Sequence, residues 1–439
     1  MTQFLSWGRY PYQPQIPHYA NWPEDITQLL LANNLNGSSS TLAFGCGRSY
    51  GDSCLAASGH VIATQKMDRL ISVNWDTGII FAQAGLTLDE VISIALPRGW
   101  FLPVTPGTKF VTLGGAVAND VHGKNHHVMG TFGCHVKSFL LSRTDEGVVN
   151  CSPSENLSLF AATLGGLGLT GVILAVEIQL RRISSSKIEQ RSIKFGGLDE
   201  FFAISQAHDA ANEYSVAWID CLAKGQQAGR GHYILGNHAL DDDVIKVENN
   251  SSFRMPIEPP FSLINAFSLK IFNTLYYHRQ LRKEVTGLVG YNPFFYPLDR
   301  LQQWNRIYGK SGFQQYQCVI PQLYAREVVR DILQQISKSN TGSFLAVLKQ
   351  CGEIESPGLI SFPLHGISLA LDFPQHHQIN KRLFEKLDDL VHEAGGRLYP
   401  AKDAHMNAIH FKQAYPQWEE LETLRDTQLL SSFWKRVTQ

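Results

Sequence analysis

The stretch from Phe101 to Phe139 restricts the possible folds of this sequence more than any other. It combines Lys124 with six glycines and four histidines: Gly107, Gly114, Gly115, Gly123, Gly130, Gly133, His122, His126, His127 and His135. Glycine allows positive φ angles and lets the backbone approach a ligand closely, at a cost in chain entropy. Such a composition is not typical of a hydrophobic core. It predicts a loop-rich wall along a large anionic cofactor.

Two further glycine-rich segments follow predicted strands or helices. GCGRSYGDS spans Gly45 to Ser53, and LGGLGLTGV spans Leu164 to Val172. Interleaved glycines allow backbone N–H groups to point at a phosphate, and Arg48 could add a fixed charge. The first segment lacks the spacing of the Rossmann fingerprint and of the P-loop, so by itself it is equally compatible with a tight hairpin.

Length and composition narrow the class of protein. A chain of 439 residues is too long for one ordinary core and predicts two domains, with a change of character at Arg181–Ser186. The formal net charge of −1 argues against a nucleic-acid partner. The seven cysteines are scattered without a CxxC pair, which favours reduced thiols over a disulfide framework or a zinc cluster.

Local patterns predict several elements. Helices are expected at Ile26–Ala32, at Leu86–Arg98 with Thr87 as N-cap, and at Leu157–Thr163. Strands are expected at Thr41–Phe44, as pairs within Val61–Ala84 and Val136–Asn150, and at Val172–Leu180. The polar segment between Leu240 and Pro260 predicts a mobile loop.

Segments that direct a chain to a membrane have a recognisable pattern of charge and apolarity. The first residues lack the charged start and apolar run of a signal peptide. The most apolar stretch, Pro259 to His278, is interrupted by Asn265, Lys270 and Asn273, so it is not expected to span a bilayer. We therefore expect a cytoplasmic protein, with contact to a membrane surface left open.

Taken together, GCGRSYGDS, PGTKFVTLGGAVANDVHGKNHH and GGLGLTGV resemble the FAD-binding domain of vanillyl-alcohol oxidase type flavoenzymes. The segments AWID, FYPLDRLQQWNRIYG, GFQQYQCVIP and GGRLYPAKD are similar to the decaprenylphosphoryl-β-D-ribose 2-oxidase family within that superfamily. The resemblance implies a two-domain α+β fold. Residues 1–183, completed by 396–439, would form the FAD-binding domain, and residues 184–395 the substrate-binding domain.

The resemblance also implies which residues hold FAD. The first loop would hold the pyrophosphate and ribityl chain through Gly45, Gly47, Arg48, Ser49, Tyr50, Gly51 and Ser53. The second loop would line the dinucleotide and ring through Gly107, Thr112, Leu113, Gly114, Gly115, Asn119 and His122. Ile173 would lie by the adenine end, and Tyr399 and Lys402 would reach the flavin from the C-terminal segment. Arg48 stands where many members carry the histidine that bonds covalently to FAD. We expect a non-covalent flavin.

Alcohol oxidation requires removal of the hydroxyl proton, transfer of a hydride to flavin N5, and a positive group near N1–C2=O of the reduced ring. Lys402 is the candidate for that charge, although most lysines are simply solvated. His122 and Tyr50 are the candidates for the proton relay. The HxxxHH pattern of His122, His126 and His127 could instead bind a metal, but this needs a helix, which Gly123 and Gly130 disfavour. We expect no metal.

The segments that match the family's substrate pocket supply flat, aliphatic and cationic groups: Lys124, Trp218, Tyr296, Gln317, Leu345, Val347 and Lys349. Such a set suits a sugar joined through phosphate to a lipid. Taken alone, FLAVLKQ would be predicted as a buried strand. Ala370 departs from the mycobacterial pattern, in which a cysteine is the target of covalent nitroaromatic inhibitors. Pro259–His278 could meet the isoprenoid or simply pack on the domain.

The leading hypothesis is FAD-dependent oxidation of the 2-hydroxyl of a polyprenylphosphoryl pentose, ribose by analogy. A separate NAD(P)H-dependent keto-reductase would then complete an epimerisation. The second hypothesis is an oxidase of a free sugar, alditol or aldonolactone. The third is a flavin-binding partner protein without catalysis. The shared FAD-binding segments do not distinguish these three.

Overall fold

The computed structural model describes residues 4–35, 40–240, 253–339 and 341–439. Three sheets organise these residues, and helices lie between and outside them. The architecture is mixed α+β, as predicted. Within the described ranges, no helix combines the length and apolarity needed to cross a membrane.

Two sheets lie in the N-terminal part of the chain. One is antiparallel and contains, in spatial order, Leu70–Asn74, Ile79–Gln83, Val172–Gln179, Val136–Arg143 and Gly147–Cys151. The other is parallel and contains Ile16–Tyr19, His60–Ala63 and Ala43–Phe44. The helices of this part are Pro23–Leu35, Leu88–Ala95, Leu113–Ala118, His126–Met129 and Leu157–Thr163.

The third sheet has eight strands, and every neighbouring pair in it is antiparallel. Its spatial order is Glu284–Gly290, Lys187–Phe195, Gly231–His238, Tyr214–Ile219, Ala346–Cys351, Gly366–Pro374, Phe313–Pro321 and Arg397–Leu398. Helices Leu198–His208, Ala325–Ser339 and His377–Glu393 bury one face of it in the largest hydrophobic core. These helices do not cover the opposite face, which is therefore available to form a binding site.

Shorter elements complete the described chain. Helices Ala266–His278 and Tyr291–Phe295 precede the last strands of the large sheet. Two-residue strands pair Trp100–Phe101 with Arg181–Arg182, and Phe253–Arg254 with Leu301–Gln302. Single 3₁₀ turns are found at Asp52–Cys54, Leu96–Arg98, Phe132–His135, Asp209–Ala211, Gly225–Gln227 and Trp304–Tyr308.

The C-terminal segment returns to the N-terminal part of the chain. Its helices are Ala408–Ala414, Trp418–Leu424 and Ser432–Thr438. Leu429 pairs with Thr41 and Ser431 with Ala56 through single β-bridges. The predicted limits of the two domains stay predictions, because one continuous core joins Leu42 and Phe44 to residues of the eight-stranded sheet.

Elements with a strong local signal are confirmed. Helix Leu157–Thr163 has the predicted bounds, and helix Leu88–Ala95 begins at a capping box formed by Thr87 and Glu90. The helix predicted at Ile26–Ala32 is longer, Pro23–Leu35. The strand predicted at Thr41–Phe44 is shorter, Ala43–Phe44.

The strand pair predicted within Val61–Ala84 is confirmed by Leu70–Asn74 and Ile79–Gln83. His60–Ala63 is not part of that pairing but joins the parallel sheet, because its neighbours come from the chain before it. The sequence predicts that Gly123 and Gly130 disfavour a helix that would align His122 with His126. The single helical turn His126–Met129 begins after His122 and ends at Gly130, which has φ +67°, so the two histidines share no helix. The predicted mobile loop falls largely on residues 241–252, outside the described residues.

Candidate active site

A cavity of about 940 Å³ lies between the glycine-rich N-terminal loops and the open face of the eight-stranded sheet. This volume is at the upper end for ligand sites and suits a dinucleotide together with a second molecule. The three glycine-rich segments of the sequence all reach it, through Gly45 and Gly47, through Gly107, Gly114 and Gly115, and through Gly168 and Gly171.

The first loop presents free backbone donors to the cavity. The amides of Cys46, Gly47, Arg48 and Ser49 donate to no acceptor among the described residues. Gly47 has φ +59°, a left-handed conformation that disfavours other residues. The Tyr50 amide donates to Ala401 O at 2.9 Å and fixes the end of the loop. Such a row of free amides is suited to a phosphate group.

The second loop is held by its own side chains. Thr112 Oγ1 accepts from the Gly115 amide at 3.1 Å, and Asn119 Nδ2 donates to Gly115 O at 2.8 Å. A β-carbon on Gly45 would come within 2.5 Å of Thr112 Oγ1, so the two loops pack directly on each other. Three buried polar atoms beside the cavity, Ser53 Oγ, Asn119 Oδ1 and His122 Nδ1, have no partner in the described chain.

Side chains that alternate between the two faces of four strands form the opposite wall of the cavity. Trp218 pairs with Val347, Val347 with Ala370, and Ala370 with Gln317, which gives one row across the sheet. All four side chains line the cavity. Lys349 is paired with Ser368 in the next row on that face, because residues two apart on a strand point to the same side. The intervening residues pack into the core.

A buried acid and a lysine lie at one end of this wall. Lys402 Nζ stands 3.5 Å from the centroid of the Tyr50 ring. Burial lowers the pKa of Lys402 to about 7, although the charge of Asp372 raises it. Burial raises the pKa of Asp372 to about 7, opposed by a hydrogen bond of 2.6 Å from Gln315 Nε2 and by Lys402. Asp372 Oδ2 has no partner among the described residues. Lys402 can therefore hold or release a proton near neutral pH.

His122 and two lysines form the neighbouring group. His122 Nε2 lies 3.2 Å from Gln317 Nε2. Burial, followed by the charges of Lys349, His126 and Lys402, lowers the pKa of His122 well below its ordinary value, so the imidazole is neutral. The amide group of Gln317 donates, so His122 Nε2 accepts and Nδ1 carries the proton.

Lys124 and Lys349 each donate to one backbone carbonyl. Lys349 Nζ lies 2.9 Å from Gly123 O, and Lys124 Nζ lies 3.0 Å from Phe295 O. Burial and the charge of Lys349 lower the pKa of Lys124 to about 8. An ammonium has three donors, so both retain donors for an anion in the cavity. The two adjacent cations make this part of the cavity suited to a phosphate.

Most of the predicted site residues line the cavity: Gly45, Gly47, Arg48, Ser49, Tyr50, Ser53, Gly107, Thr112, Gly114, Gly115, Asn119, His122, Lys124, Ile173, Trp218, Gln317, Leu345, Val347, Lys349, Tyr399 and Lys402. Their roles remain predictions.

Three predicted residues lie behind the cavity wall. Gly51 packs against Asp403 O, where a β-carbon would be only 1.6 Å away. Leu113 is buried in the core and its amide donates to Leu86 O at 2.8 Å. The Tyr296 hydroxyl is 2.6 Å from Thr105 Oγ1, so this side chain braces the wall from outside.

The three histidines of the HxxxHH pattern point to different partners. His126 Nδ1 accepts from the Gly352 amide at 3.1 Å, and His127 Nε2 lies 2.9 Å from Asn212 O. Within the described ranges, no group of three or more His, Cys, Asp or Glu side chains has the arrangement of a metal site.

Sequence reasoning missed Asp372, Gln315 and Ser368, which are buried on the cavity side of their strands. The signal was present in the sequence. In FQQYQCVIP, Gln315 and Gln317 are two residues apart, and in GISLALDFP, Ser368, Ala370 and Asp372 alternate with Leu369 and Leu371, which is the pattern of a strand with one more polar face.

Comparison with known proteins gives a consistent result. Residues 22–152 match the family model for the FAD binding domain. The chain is 35% identical over 435 residues to the decaprenylphosphoryl-beta-D-ribose oxidase of Mycolicibacterium smegmatis, covering 96% of this chain and 93% of that protein. An uncharacterized protein of Streptomyces coelicolor is 30% identical over 77% of this chain and 95% of its own length. The L-gulonolactone oxidase of Scyliorhinus torazame is 28% identical over 40% of each chain.

Proposed function

Because the chain belongs to the decaprenylphosphoryl-β-D-ribose oxidase family of FAD-dependent oxidoreductases, we propose that it oxidises the 2-hydroxyl of a polyprenylphosphoryl pentose to the 2-keto sugar. Ribose is the proposed sugar, by analogy with the mycobacterial relative. The observation that carries the proposal is the cavity in which the glycine loops face Trp218, Lys349 and Lys402.

FAD is the cofactor of this chain, and the cavity wall suits it. The free amides of Cys46 to Ser49 are available for the pyrophosphate, and the unpartnered Ser53 Oγ and Asn119 Oδ1 for polar groups of the dinucleotide. When bound, FAD supplies the acceptor for the hydride, at N5 in the proposed reaction. We propose that it is held without a covalent bond, since Arg48 occupies the position of the linking histidine.

Lys402 is proposed to orient the sugar hydroxyl and to stabilise negative charge. Its pKa, lowered by burial to about 7 and raised by Asp372, leaves a substantial cationic fraction near neutral pH. An ammonium in a water-poor cavity interacts strongly with a developing anion. Tyr50, under the Lys402 ammonium, and the neutral His122 are the proposed groups through which the hydroxyl proton leaves.

Trp218 and the two lysines are proposed to bind the lipid-linked sugar. The Trp218 ring is fixed by a 2.9 Å hydrogen bond from Nε1 to Phe344 O and by the Tyr276 ring at 4.4 Å, which leaves a flat face for a pentose. Lys124 and Lys349 offer donors for the phosphodiester.

The oxidised sugar needs a second enzyme if the outcome is epimerisation. We propose a separate NAD(P)H-dependent keto-reductase as the functional partner, and contact with a membrane surface because the substrate is a lipid. All seven cysteines are unpaired thiols. This favours a reducing compartment, and we propose the cytoplasmic side of the membrane.

The alternative function is oxidation of a free sugar or aldonolactone. The 28% identity with L-gulonolactone oxidase favours it as the second candidate, although that similarity covers only 40% of the chain. The two adjacent lysines argue for a phosphate-bearing substrate instead, because a free sugar carries no anion.

Anaerobic reduction of the purified yellow holoenzyme tests the proposal. A short-chain prenylphosphoryl ribose should bleach the flavin absorbance, whereas free ribose, alditols and aldonolactones should leave it unchanged. Bleaching by a free sugar or lactone at comparable concentration would favour the alternative. If no sugar bleaches the flavin but dithionite does, the protein is a flavin-binding partner without this chemistry.

A further inference from the structure

Helix Ala266–His278 exposes apolar side chains to solvent. Phe267, Ile271 and Leu275 follow one another at intervals of four residues and are 75%, 45% and 67% exposed. The preceding segment adds two more exposed side chains, Phe261 and Leu263. We call these five residues the apolar platform. Exposed apolar residues are ordinary when scattered, but a contiguous set on one helix indicates an interaction surface.

The platform is not the side of the helix that packs against the rest of the protein. The helix buries a different side, on which Leu269 and Asn273 are fully covered. Asn273 Nδ2 donates to Asp220 Oδ1 at 3.0 Å and anchors the helix to the domain. An N-terminal capping box of Asn265 and Ser268 fixes where the helix begins. Rotating the helix to bury the platform would therefore break a buried hydrogen bond.

All charged residues in the segment that carries the platform have one sign, although Lys283 is itself paired with Glu200. Residues 259–283 contain Lys270, Arg279, Arg282 and Lys283 and neither aspartate nor glutamate. The nearest acidic residues in sequence are already paired, Glu258 with Arg9 and Glu284 with Arg191. A surface that is apolar in the middle and cationic at its margins is complementary to an anionic lipid bilayer.

The same helix borders the active-site cavity. Tyr276 and Arg279 line the cavity, and the Tyr276 ring lies 4.4 Å from the Trp218 ring. The Arg279 guanidinium stands 3.8 Å from the centroid of the Tyr276 ring. A lipid bilayer in contact with the platform would therefore meet the same element that forms one side of the cavity.

We propose that the apolar platform docks the enzyme onto an anionic phospholipid surface, and so presents the cavity to a substrate whose lipid chain stays in the bilayer. The biological purpose of this docking rests on the proposed function, whereas the binding of the platform to lipid does not. A lipid surface suits this helix better than a protein partner, because Lys270 lies among the apolar residues. Lysine is depleted from the centres of protein interfaces, whereas beside a membrane its long side chain can carry the ammonium to the headgroups.

Flotation of the holoenzyme with vesicles tests this proposal. Vesicles of equal parts phosphatidylcholine and phosphatidylglycerol should carry the wild-type protein, and vesicles of phosphatidylcholine alone should carry much less. The variant Phe267→Gln/Ile271→Gln/Leu275→Gln should reduce the partition coefficient on the anionic vesicles by at least about tenfold. Glutamine keeps the helical propensity, so the helix should survive.

Two controls separate the platform from general surface effects. The variant Leu157→Gln/Leu323→Gln/Ile409→Gln removes three equally exposed apolar side chains elsewhere and should bind like wild type. The variant Lys270→Glu/Arg282→Glu should lose binding to the anionic vesicles, whereas Lys386→Glu/Lys435→Glu should not. The proposal is overturned if wild type fails to float with either composition, or if the platform variant floats as well as wild type.

Two further measurements distinguish a lipid surface from a second copy of the chain, and the docking surface from the enzymatic function. If light scattering shows a dimer that the platform variant abolishes while vesicle binding is unchanged, the occupant is a second copy and the proposal is wrong. Flavin bleaching by a short-chain substrate in free solution should be unaffected by the platform variant. Vesicle binding without bleaching by any lipid-linked sugar would contradict the proposed function and leave the docking surface standing.

Discussion

Replacing Arg436 with methionine should loosen the C-terminal segment from the first glycine loop and weaken FAD retention. Arg436 Nη2 lies 2.8 Å from Asp52 Oδ1 and 2.8 Å from Asp403 Oδ2, and Nε lies 3.1 Å from Asp52 Oδ2. Both carboxylates are almost fully buried. Methionine retains most of the aliphatic packing but leaves the buried Asp52 without its cation and Asp403 with His405 alone.

The magnitude follows from burial. Removing one partner of a buried ion pair costs about 3–5 kcal/mol, and we take about 3 because the Arg436 side chain is 28% exposed. Unfolding entropy is about 2.1 cal/mol/K per residue, so for 439 residues 1 kcal/mol corresponds to roughly 1 °C if the chain melts as one unit. The melting temperature should therefore fall by about 3 °C.

The pH dependence has a definite sign. Burial would raise the pKa of Asp403, but the charges of Arg436 and His405 bring it below its ordinary value. Its contribution in wild type is therefore present above the unfolded pKa, about 3.8, and lost as the pH falls through the folded pKa. In the variant, loss of Arg436 raises the pKa of both carboxyls: that of Asp52 rises further, since burial already raises it in wild type, and that of Asp403 rises although His405 remains. The variant is then penalised increasingly as the pH rises above about 4, so the difference from wild type should be larger at pH 8 than at pH 5.

The assay is the fluorescence of flavin released on heating, compared with Lys435→Met, which removes an exposed cation one residue earlier on the same helix. The control should melt within about 1 °C of wild type. The reasoning is refuted if Arg436→Met melts like the control, or if its deficit is larger at low pH than at high pH.

Five shorter predictions concern the cavity. Lys402→Met should keep FAD but slow anaerobic bleaching by about 10²-fold or more, and Asp372→Asn should shift the pH dependence of bleaching to lower pH by removing the charge that raises the pKa of Lys402. Lys349→Met should raise KM for the prenylphosphoryl substrate about tenfold or more with little change in kcat, and wild-type KM should rise above pH 8 as Lys124, with its pKa of about 8, loses its proton. Ala370→Cys should form a covalent adduct with nitroaromatic inhibitors of the family, detected by mass spectrometry, where wild type forms none.

Exposed lysines provide the controls for these variants. Lys386→Met lies on the outer side of helix His377–Glu393 and should leave bleaching and KM unchanged. Unchanged bleaching in Lys402→Met would remove that residue from the proposed chemistry. An unchanged KM in Lys349→Met would mean that the phosphate binds elsewhere.

The sequence predicted those parts of the fold that are determined by interactions between residues close together in the chain. Thr87 caps its helix because Glu90 lies three residues later, and both hydrogen bonds of the capping box involve neighbours. The eight-stranded sheet has no such local signal. Its central contact joins Trp218 to Val347, so the order of its strands is fixed by packing between distant segments.

The glycine loops were predictable as a cofactor wall, but only the resemblance named FAD. Tyr296, predicted to bind substrate, lies behind the cavity wall for a physical reason. It stands in an aromatic run of the matching segment, where the sequence does not tell which ring faces the cavity. Tyr296 turns its hydroxyl to Thr105, and Phe294 and Phe295 line the cavity instead. The local sequence shows which residue types form the cavity wall, whereas the orientation of each side chain depends on packing with residues behind that wall.

Strand register supplies the information that residue type alone lacked. Once Ala370 is placed in the cavity, alternation along Gly366–Pro374 puts Ser368 and Asp372 on the same face. Pairing of Gln315 with Asp372 on the adjacent strand then explains how a carboxylate can be buried beside Lys402. The same argument extends from Val347 to Lys349, which the sheet aligns with Ser368. Asp372, beside Lys402, and Ser368, paired with Lys349, therefore lie on one face of the same strand with Ala370 between them, so a change of register of Gly366–Pro374 would remove both lysine environments together.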